Sequence, residues 1–340
     1  MRRSMVKRLE LLFAPGLKIE FTDREKAVKQ VYEFAERGTR LPIVVFGSEG
    51  CGKSAWLRQA SEILRENGYD VIYIDPLHRE YAVYTDVKEI VKKISEAVAD
   101  ATGHVSLKLA DLVISLGHLL LKKWRRKRIA LLVDEVFQVI GIEKSETYVK
   151  ELLNIIEYPP ESYENIVVIA ATSEGLSRWR IGRHLWAWIM PMWNMSRKGF
   201  EELYEKMPKP KPGFDEIWRL TGGNPRMLSI FYQAKWSVDR VVEDTIRSRG
   251  VSKDFVMRWR QHLAEAIEDP DTLMEKDAPE ELKHVLIEKN LIVYDLYSRN
   301  SELWIDEPPP ERDLELGIGR YVAWQTPLYR EAVKKALIKS

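Results

Sequence analysis

The segment Gly47-Ser48-Glu49-Gly50-Cys51-Gly52-Lys53-Ser54 has the spacing G-x-x-x-x-G-K-[ST]. Glycines let a backbone wrap an anion so that successive N–H groups point inward. Lys53 adds a full positive charge for the outer phosphates of a nucleotide, and the small, hard hydroxyl of Ser54 suits Mg²⁺. The backbone of Ala55 completes the groups that would face ATP or ADP, and Cys51 fills a variable position. Further along, Ile129-Ala130-Leu131-Leu132-Val133-Asp134-Glu135 is an apolar run ending in two carboxylates. Such a pair is costly at the end of a buried strand unless the charges have work or a partner. Beside a phosphate loop, Asp134 is expected to hold the metal through water and Glu135 to activate the attacking water, a pairing that favours hydrolysis over binding alone. Val167–Ala171 ends at Thr172-Ser173, hydroxyls that reach toward the γ-phosphate or cap the next helix. Arg178, Arg180 and Arg183 follow. Each is either a surface arginine or a cationic finger, in cis or from a neighbour, a device worth about 10³–10⁵ in rate.

These groups need a scaffold, and the hydrophobic pattern supplies one. Leu41–Phe46, Val71–Asp75, Ile129–Asp134 and Ile166–Ala171 read as short buried strands. Between them, 53–67, Val87–Val98, Leu107–Lys127 and Tyr148–Ile156 read as helices, with Asn67-Gly68 stopping the first. Strands alternating with helices predict a mainly parallel sheet covered on both faces. Leu185–Met190 alternates as a fifth strand, with Trp186 and Trp188 on one face. Core packing is the simpler role for the tryptophans at 179, 186, 188 and 193, and a partner-binding patch the sharper one. The alternation stops near residue 200. Phe200–Met207 is helical, Pro208–Gly213 is a proline-rich joint, and 214–266 is helical throughout. Helix Glu280–Asn290, strands Leu291–Tyr297 and Tyr321–Gln325, and a closing helix Pro327–Ile338 predict a winged helix. The expected domains are a P-loop core over 1–200, a helical lid over 201–266 and a winged helix over 267–340.

Composition narrows the class. Of 340 residues, 45% are hydrophobic and 31% charged, which excludes a disordered or collagen-like chain. The net charge of +1 gives no bulk argument for nucleic acid or membrane. The one cysteine cannot form an internal disulfide, and no Cys/His cluster has metal-ligand spacing. No apolar run reaches the roughly 18 residues of a membrane span, and the basic N-terminus is followed by a stretch broken at Glu10, Pro15 and Lys18, unlike a secretory signal. A soluble cytoplasmic protein is expected. Abundant charge, with many Ile, Val, Tyr and Trp, hints at a thermophile.

Two further motifs carry a resemblance. Phe21-Thr22-Asp23-Arg24-Glu25 resembles the hhGRE element that precedes the first strand in the signal-transduction (STAND) class of P-loop NTPases, with Asp23 where that class usually has Gly. Thr221-Gly222-Gly223-Asn224-Pro225-Arg226 resembles the GGNP lid motif of its archaeal ATPase group. The resemblance implies an AAA+-like α/β fold of the ASCE type, with a parallel-sheet P-loop core, a helical lid and a C-terminal winged helix. It also implies a switch that holds ATP or ADP between core and lid, with Arg24 contacting the nucleotide region and Pro225 near the base. Arg226 would reach the γ-phosphate. Pro225 also fits a plain helix start capped by Asn224.

Charge tests the competing reading, a DNA-associated AAA+-like ATPase such as an origin-recognition initiator or transposition helper. Residues 235–340 hold 17 Lys+Arg against 21 Asp+Glu, a net of −4. DNA affinity rests on neutralised phosphates, so a protein partner or self-association ranks ahead of duplex DNA for the winged helix. The basic stretch Arg247, Arg249, Lys253, Arg258 and Arg260 is the exception. Lys122–Arg128 is basic too, and suits a helix C-terminus. A third reading is a scaffold that keeps ADP locked without turnover.

Overall fold

The computed structural model describes residues 7–99, 105–123, 128–173, 175 and 177–339. A hairpin, β1 (Glu10–Ala14) and β2 (Leu17–Glu20), precedes α1 (Glu25–Arg37). Then come β3 (Ile43–Phe46), α2 (Lys53–Glu66), β4 (Asp70–Asp75), β5 (Glu80–Tyr84), α3 (Lys88–Ala99), α4 (Val105–Lys123) and β6 (Arg128–Asp134). After α5 (Val136–Ile140) and α6 (Ile142–Glu157), β7 (Asn165–Thr172), α7 (Ser177–Ile181) and β8 (Trp188–Pro191) end the alternation. The rest is largely helical: α8 (Arg197–Glu205), α9 (Phe214–Thr221), α10 (Pro225–Gln233), α11 (Val238–Ser248), α12 (Lys253–Arg258), α13 (Arg260–Glu268) and α14 (Glu280–Glu288). Strands β9 (Ile292–Tyr294) and β10 (Val322–Trp324) and helix α15 (Pro327–Lys339) close the chain.

These elements form two compact units. The first holds the described residues of Glu25–Phe46 and Lys53–Met190, with residues 7–9. The second holds Glu10–Arg24, Gly47–Gly52 and Pro191 onward, so the regions read from sequence as lid and winged helix fall in one unit.

The first unit is built on a six-stranded sheet of order β5-β4-β6-β7-β3-β8. Strands β4, β6, β7 and β3 are parallel, and β5 returns antiparallel beside β4. Alternate residues of these strands, among them Val44, Ile72, Leu131, Val133 and Val168, join α3 to α6 in one apolar core. Helices α1 and α2 pack together and against the strands, burying Ala27, Val31, Trp56 and Leu57. Each fully buried aliphatic side chain contributes roughly 1.5–3 kcal/mol. Gly117, mid-helix in α4, marks the closest approach to the sheet: a Cβ there would stand 2.8 Å from Leu131 Cδ1 and 3.0 Å from Ile155 Cδ1.

Three strands were not legible in the sequence. The hairpin β1–β2 belongs to the second unit, where Ile19, Phe13 and Leu17 pack with Phe200, Leu203, Ile217 and Leu228 of the lid helices. Its strands are short and carry charges on the exposed face, and the bulge between Leu12 and Ala14 breaks their alternation. Strand β5 is an edge strand that leaves Glu80 and Tyr81 exposed, so it lacks an apolar signature. The helical region expected over 214–266 is five helices, α9 to α13, with α9 stopped at Gly222 and new helices capped by Asn224, Ser237 and Ser252. The C-terminal strands pair antiparallel, Val322 opposite Tyr294 and Trp324 opposite Ile292.

The tryptophan expectation holds for Trp193 and Trp186, which pack in or against apolar cores, and is corrected for Trp188. Trp193 is buried, but Trp188 is 60% exposed, and Trp186 is half-buried and stacked on His184 at 3.9 Å between ring centroids. Strand β8 begins only at Trp188, so the two rings do not share a strand face. Of the basic stretch Lys122–Arg128, residues 124–127 lie outside the described residues.

Candidate nucleotide site

The sheet order explains the site. Strand β7 lies between β3, which feeds the glycine-rich loop, and β6, which carries the acidic pair. The ends of the three are level: Phe46 pairs with Thr172, and Asp134 with Ala171. Parallel strands place their carboxyl ends at one rim, where such sheets bind ligands. The first unit therefore gathers Lys53 and Ser54 at the start of α2 with Asp134, Glu135, Thr172 and Ser173.

Asp134 is fully buried. Its Oδ2 accepts a hydrogen bond from the Tyr73 hydroxyl at 3.2 Å, while Oδ1 is buried with no hydrogen-bond partner. Burial first, then the neighbouring Glu135 carboxylate, pushes its carboxyl up to about 6, and Ser54 and Lys53 pull it back. Glu135 stands in the left-handed region, with φ 46°, a conformation that costs a non-glycine residue about 1–3 kcal/mol and collects at functional sites. One carboxylate oxygen, Oε2, accepts from the Ser173 N–H at 2.9 Å, the Ser173 hydroxyl at 3.2 Å and Gln138 Nε2 at 3.0 Å. Gln138 also donates to the Ser173 hydroxyl at 2.7 Å. The Ser173 reading as a helix cap gives way to this bond with Glu135. Thr172 is buried beside it.

The three arginines part company. Arg178 is buried, its guanidinium 4.9 Å from the ring centre of Phe46, the residue before the loop. Arg180 makes a two-pronged pair with Glu143 at 2.7 and 2.8 Å, so its guanidinium is spent on the surface. Arg183 is exposed. Arg180 is thus engaged with Glu143 at the surface, unlike Arg178.

The loop segment Gly47–Gly52 is held within the second unit. Gly50 and Gly52 have φ of +79° and +108°, where a side chain would be strained. A Cβ on Gly50 would also stand 2.1 Å from Arg226 Cβ. Asn224 caps α10, accepting from Met227 N at 3.1 Å, and its Nδ2 donates to the Glu49 carbonyl at 3.0 Å and to Asn194 Oδ1 at 2.9 Å. Pro225 is the first residue of that helix. Arg226 meets the loop through its backbone N–H, 3.3 Å from the Gly50 carbonyl. Gln325 accepts from the Glu49 N–H at 3.1 Å.

Arg24 meets the glycine-rich loop. Its guanidinium is buried and donates to Asp306 Oδ2 at 2.8 Å and to the carbonyls of Cys51 at 2.6 Å and Trp193 at 2.9 Å. It grips the loop's backbone at Cys51. Asp23, where glycine is usual, has φ 58°. Its carboxyl is raised by burial and then by Asp306.

Sequence reasoning missed Tyr73, Gln138, Asp306 and Gln325, and read Arg249 only as part of a basic stretch. Gln138 alone had a local signal, lying one helical turn after Glu135. The basic stretch 247–260 is partly committed, since Arg249 pairs with Glu49 and Arg258 with Glu281. Among the described residues no helix is long and apolar enough to cross a membrane.

A family described as an ATPase domain predominantly from Archaea matches residues 21–231. No curated protein matches the chain. Among solved structures, Cdc6p from Pyrobaculum aerophilum is 13% identical, covers 96% of this chain and 97% of its own, and gives a TM-score of 0.39. The Aeropyrum pernix ORC2 protein, in ADPNP–ADP complexes, is 11% identical over 92% and 93%, with a TM-score of 0.39. AMPPCP-bound DnaA from Aquifex aeolicus is 16% identical over 77% and 75%, with a TM-score of 0.35.

Proposed function

The chain belongs to this family of ATPase domains found predominantly in Archaea, and on that premise we propose that it is a Mg²⁺-dependent, ATP-hydrolysing switch of the STAND type. The observation that carries the reading is Asp134 Oδ1, a buried carboxylate oxygen without a hydrogen-bond partner at the sheet rim where β3, β6 and β7 end. A buried unpaired acceptor costs roughly 1–3 kcal/mol, and a cation removes that cost. Asp134 and Ser54 form a hard-oxygen set that fits Mg²⁺, which needs few protein ligands when phosphates and water supply the rest.

Residue roles follow from chemistry. The N–H groups of Gly47–Ala55 and the Lys53 ammonium neutralise the phosphates. When bound, the cation draws charge from the β- and γ-phosphates. Glu135 has one oxygen tied by Ser173 and Gln138, which fixes the carboxylate plane and leaves the other oxygen to take a proton from the attacking water. Water oxygen bonds to the γ-phosphorus as the bond to the ADP oxygen breaks. Thr172 stands at the same rim, and Arg178 serves as the cis cation, with Arg183 available to a neighbouring chain.

The switch rests on the loop's attachments. Asn224, Arg226 and Gln325 bond directly to its backbone, so a loop that reshapes around phosphate strains the lid motif and the C-terminal region. Loss of the γ-phosphate then shifts the population between two arrangements. A C-terminal winged helix contacts a protein partner or a second copy, since residues 235–340 are net −4 and Arg249 and Arg258 are already paired.

Calorimetric titration with ATP and Mg²⁺ tests the binding. Lys53→Ala should abolish it, and unchanged affinity refutes the phosphate-loop assignment. In single-turnover assays Glu135→Gln should bind ATP yet hydrolyse it at least about 10²-fold more slowly. Near-normal turnover removes Glu135 from the catalytic role.

A further inference from the structure

Tyr73 sits in β4, in register with Leu132 on β6 and so beside the strand that delivers Asp134. Its side chain is buried, and its hydroxyl donates to Asp134 Oδ2 at 3.2 Å. On the other side, Arg58 of α2 points Nε at the same hydroxyl at 3.4 Å, and its Nη2 bonds to Glu80 on β5. A phenol hydroxyl has one proton to give. With a guanidinium, which can only donate, on one side of it, that proton turns to the carboxylate. One oxygen of Asp134 is thereby tied and the other, Oδ1, is left bare.

We propose that Tyr73 is a positioning residue that selects Oδ1 of Asp134 as the cation-binding atom, with Arg58 setting the direction of the tyrosine's proton. This rests on the assignment of Asp134 to the metal of a nucleotide complex. The bond to Tyr73 stops the carboxylate from rotating, or from offering both oxygens to one ion. Mg²⁺-sized ions demand near-ideal octahedral angles that a two-oxygen bite distorts. Support around a metal ligand of this kind commonly changes affinity by about 10- to 100-fold when removed, and a single hydrogen bond of 3.2 Å from a neutral phenol lies near the low end of that range.

The test uses the full chain saturated with β,γ-imido-ATP, titrated with Mn²⁺, with free Mn²⁺ read by electron paramagnetic resonance. Tyr73→Phe keeps the ring and removes only the hydroxyl. It should weaken Mn²⁺ binding about fivefold, which corresponds to about 1 kcal/mol. In an Asp134→Asn background the same change should add nothing, because Tyr73 acts through Asp134. Arg58→Met, which leaves the tyrosine in place, should weaken binding by a smaller factor. Mn²⁺ affinity within about twofold of wild type in both Tyr73→Phe and Arg58→Met overturns the proposal, as does a fivefold loss that persists undiminished beside Asp134→Asn. Wild-type protein that takes up no Mn²⁺ with the nucleotide analogue removes the underlying metal assignment instead, and that result is distinct from either.

Discussion

Arg249 Nη2 lies 2.6 Å from Glu49 Oε2 and 2.5 Å from the Tyr329 hydroxyl, so a side chain of the phosphate loop is tied to the end of α11 and, through one guanidinium, to α15. The guanidinium also stands over the Tyr329 ring, 4.8 Å from its centre. The pair is partly exposed, 19% for the arginine and 44% for the glutamate, so its Coulomb energy is screened. Arg249→Ala should lower stability by about 1–2 kcal/mol, mostly through the lost hydrogen bond to Tyr329 and the lost stacking. Denaturant unfolding checks it, and Glu49→Gln should cost less.

The buried pair Arg24–Asp306 predicts a different pattern. Both side chains are under 10% exposed. Arg24→Ala strands a buried carboxylate and leaves the Cys51 and Trp193 carbonyls unpaired, at a cost of about 3–5 kcal/mol. Replacing both partners, Arg24→Met with Asp306→Leu, should recover a large part of that loss. Equal loss in single and double variants would show that the carbonyl contacts outweigh the ion pair.

Asp134 gives the nucleotide-free chain a pH signature. Its carboxyl titrates at about 6 when folded, against 3.8 ordinarily. Between these values the folded state binds the extra proton. That contribution to stability is complete below 3.8 and is lost as the pH rises through about 6, a change of about 3 kcal/mol. Thermal melts across this window should show a steeper fall for wild type than for Asp134→Asn. Affinity for a Mg²⁺–nucleotide should run the other way, weakening as the pH drops through 6.

Ser173 fixes Glu135 through both its N–H and its hydroxyl. Ser173→Ala removes one of these and one anchor of Gln138, so hydrolysis should slow by about tenfold with nucleotide affinity unchanged. Arg180→Ala, which removes only a surface pair with Glu143, should leave turnover unaltered. Single-turnover rates separate the two.

By itself the sequence determined which residue types stand at the sheet's rim. The glycine spacing, the acidic pair and the strand-end hydroxyls are local patterns, each carried by a few consecutive residues flanked by apolar strands. Period and composition expose such patterns directly. Asn224-Pro225 was legible for the same reason, as a cap and first turn. Tertiary structure decided the partners. Nothing near Arg24 in the chain announces Asp306, and nothing near Glu49 announces Arg249 or Gln325, because these bonds join residues far apart in sequence. Exposure separated Arg178 from Arg180 and Arg183, whose local sequences look alike. The hairpin β1–β2 needed a neighbouring helix layer to bury its apolar side. A side chain's work depends on what it meets when the chain closes on itself, and periodicity records only which way it faces.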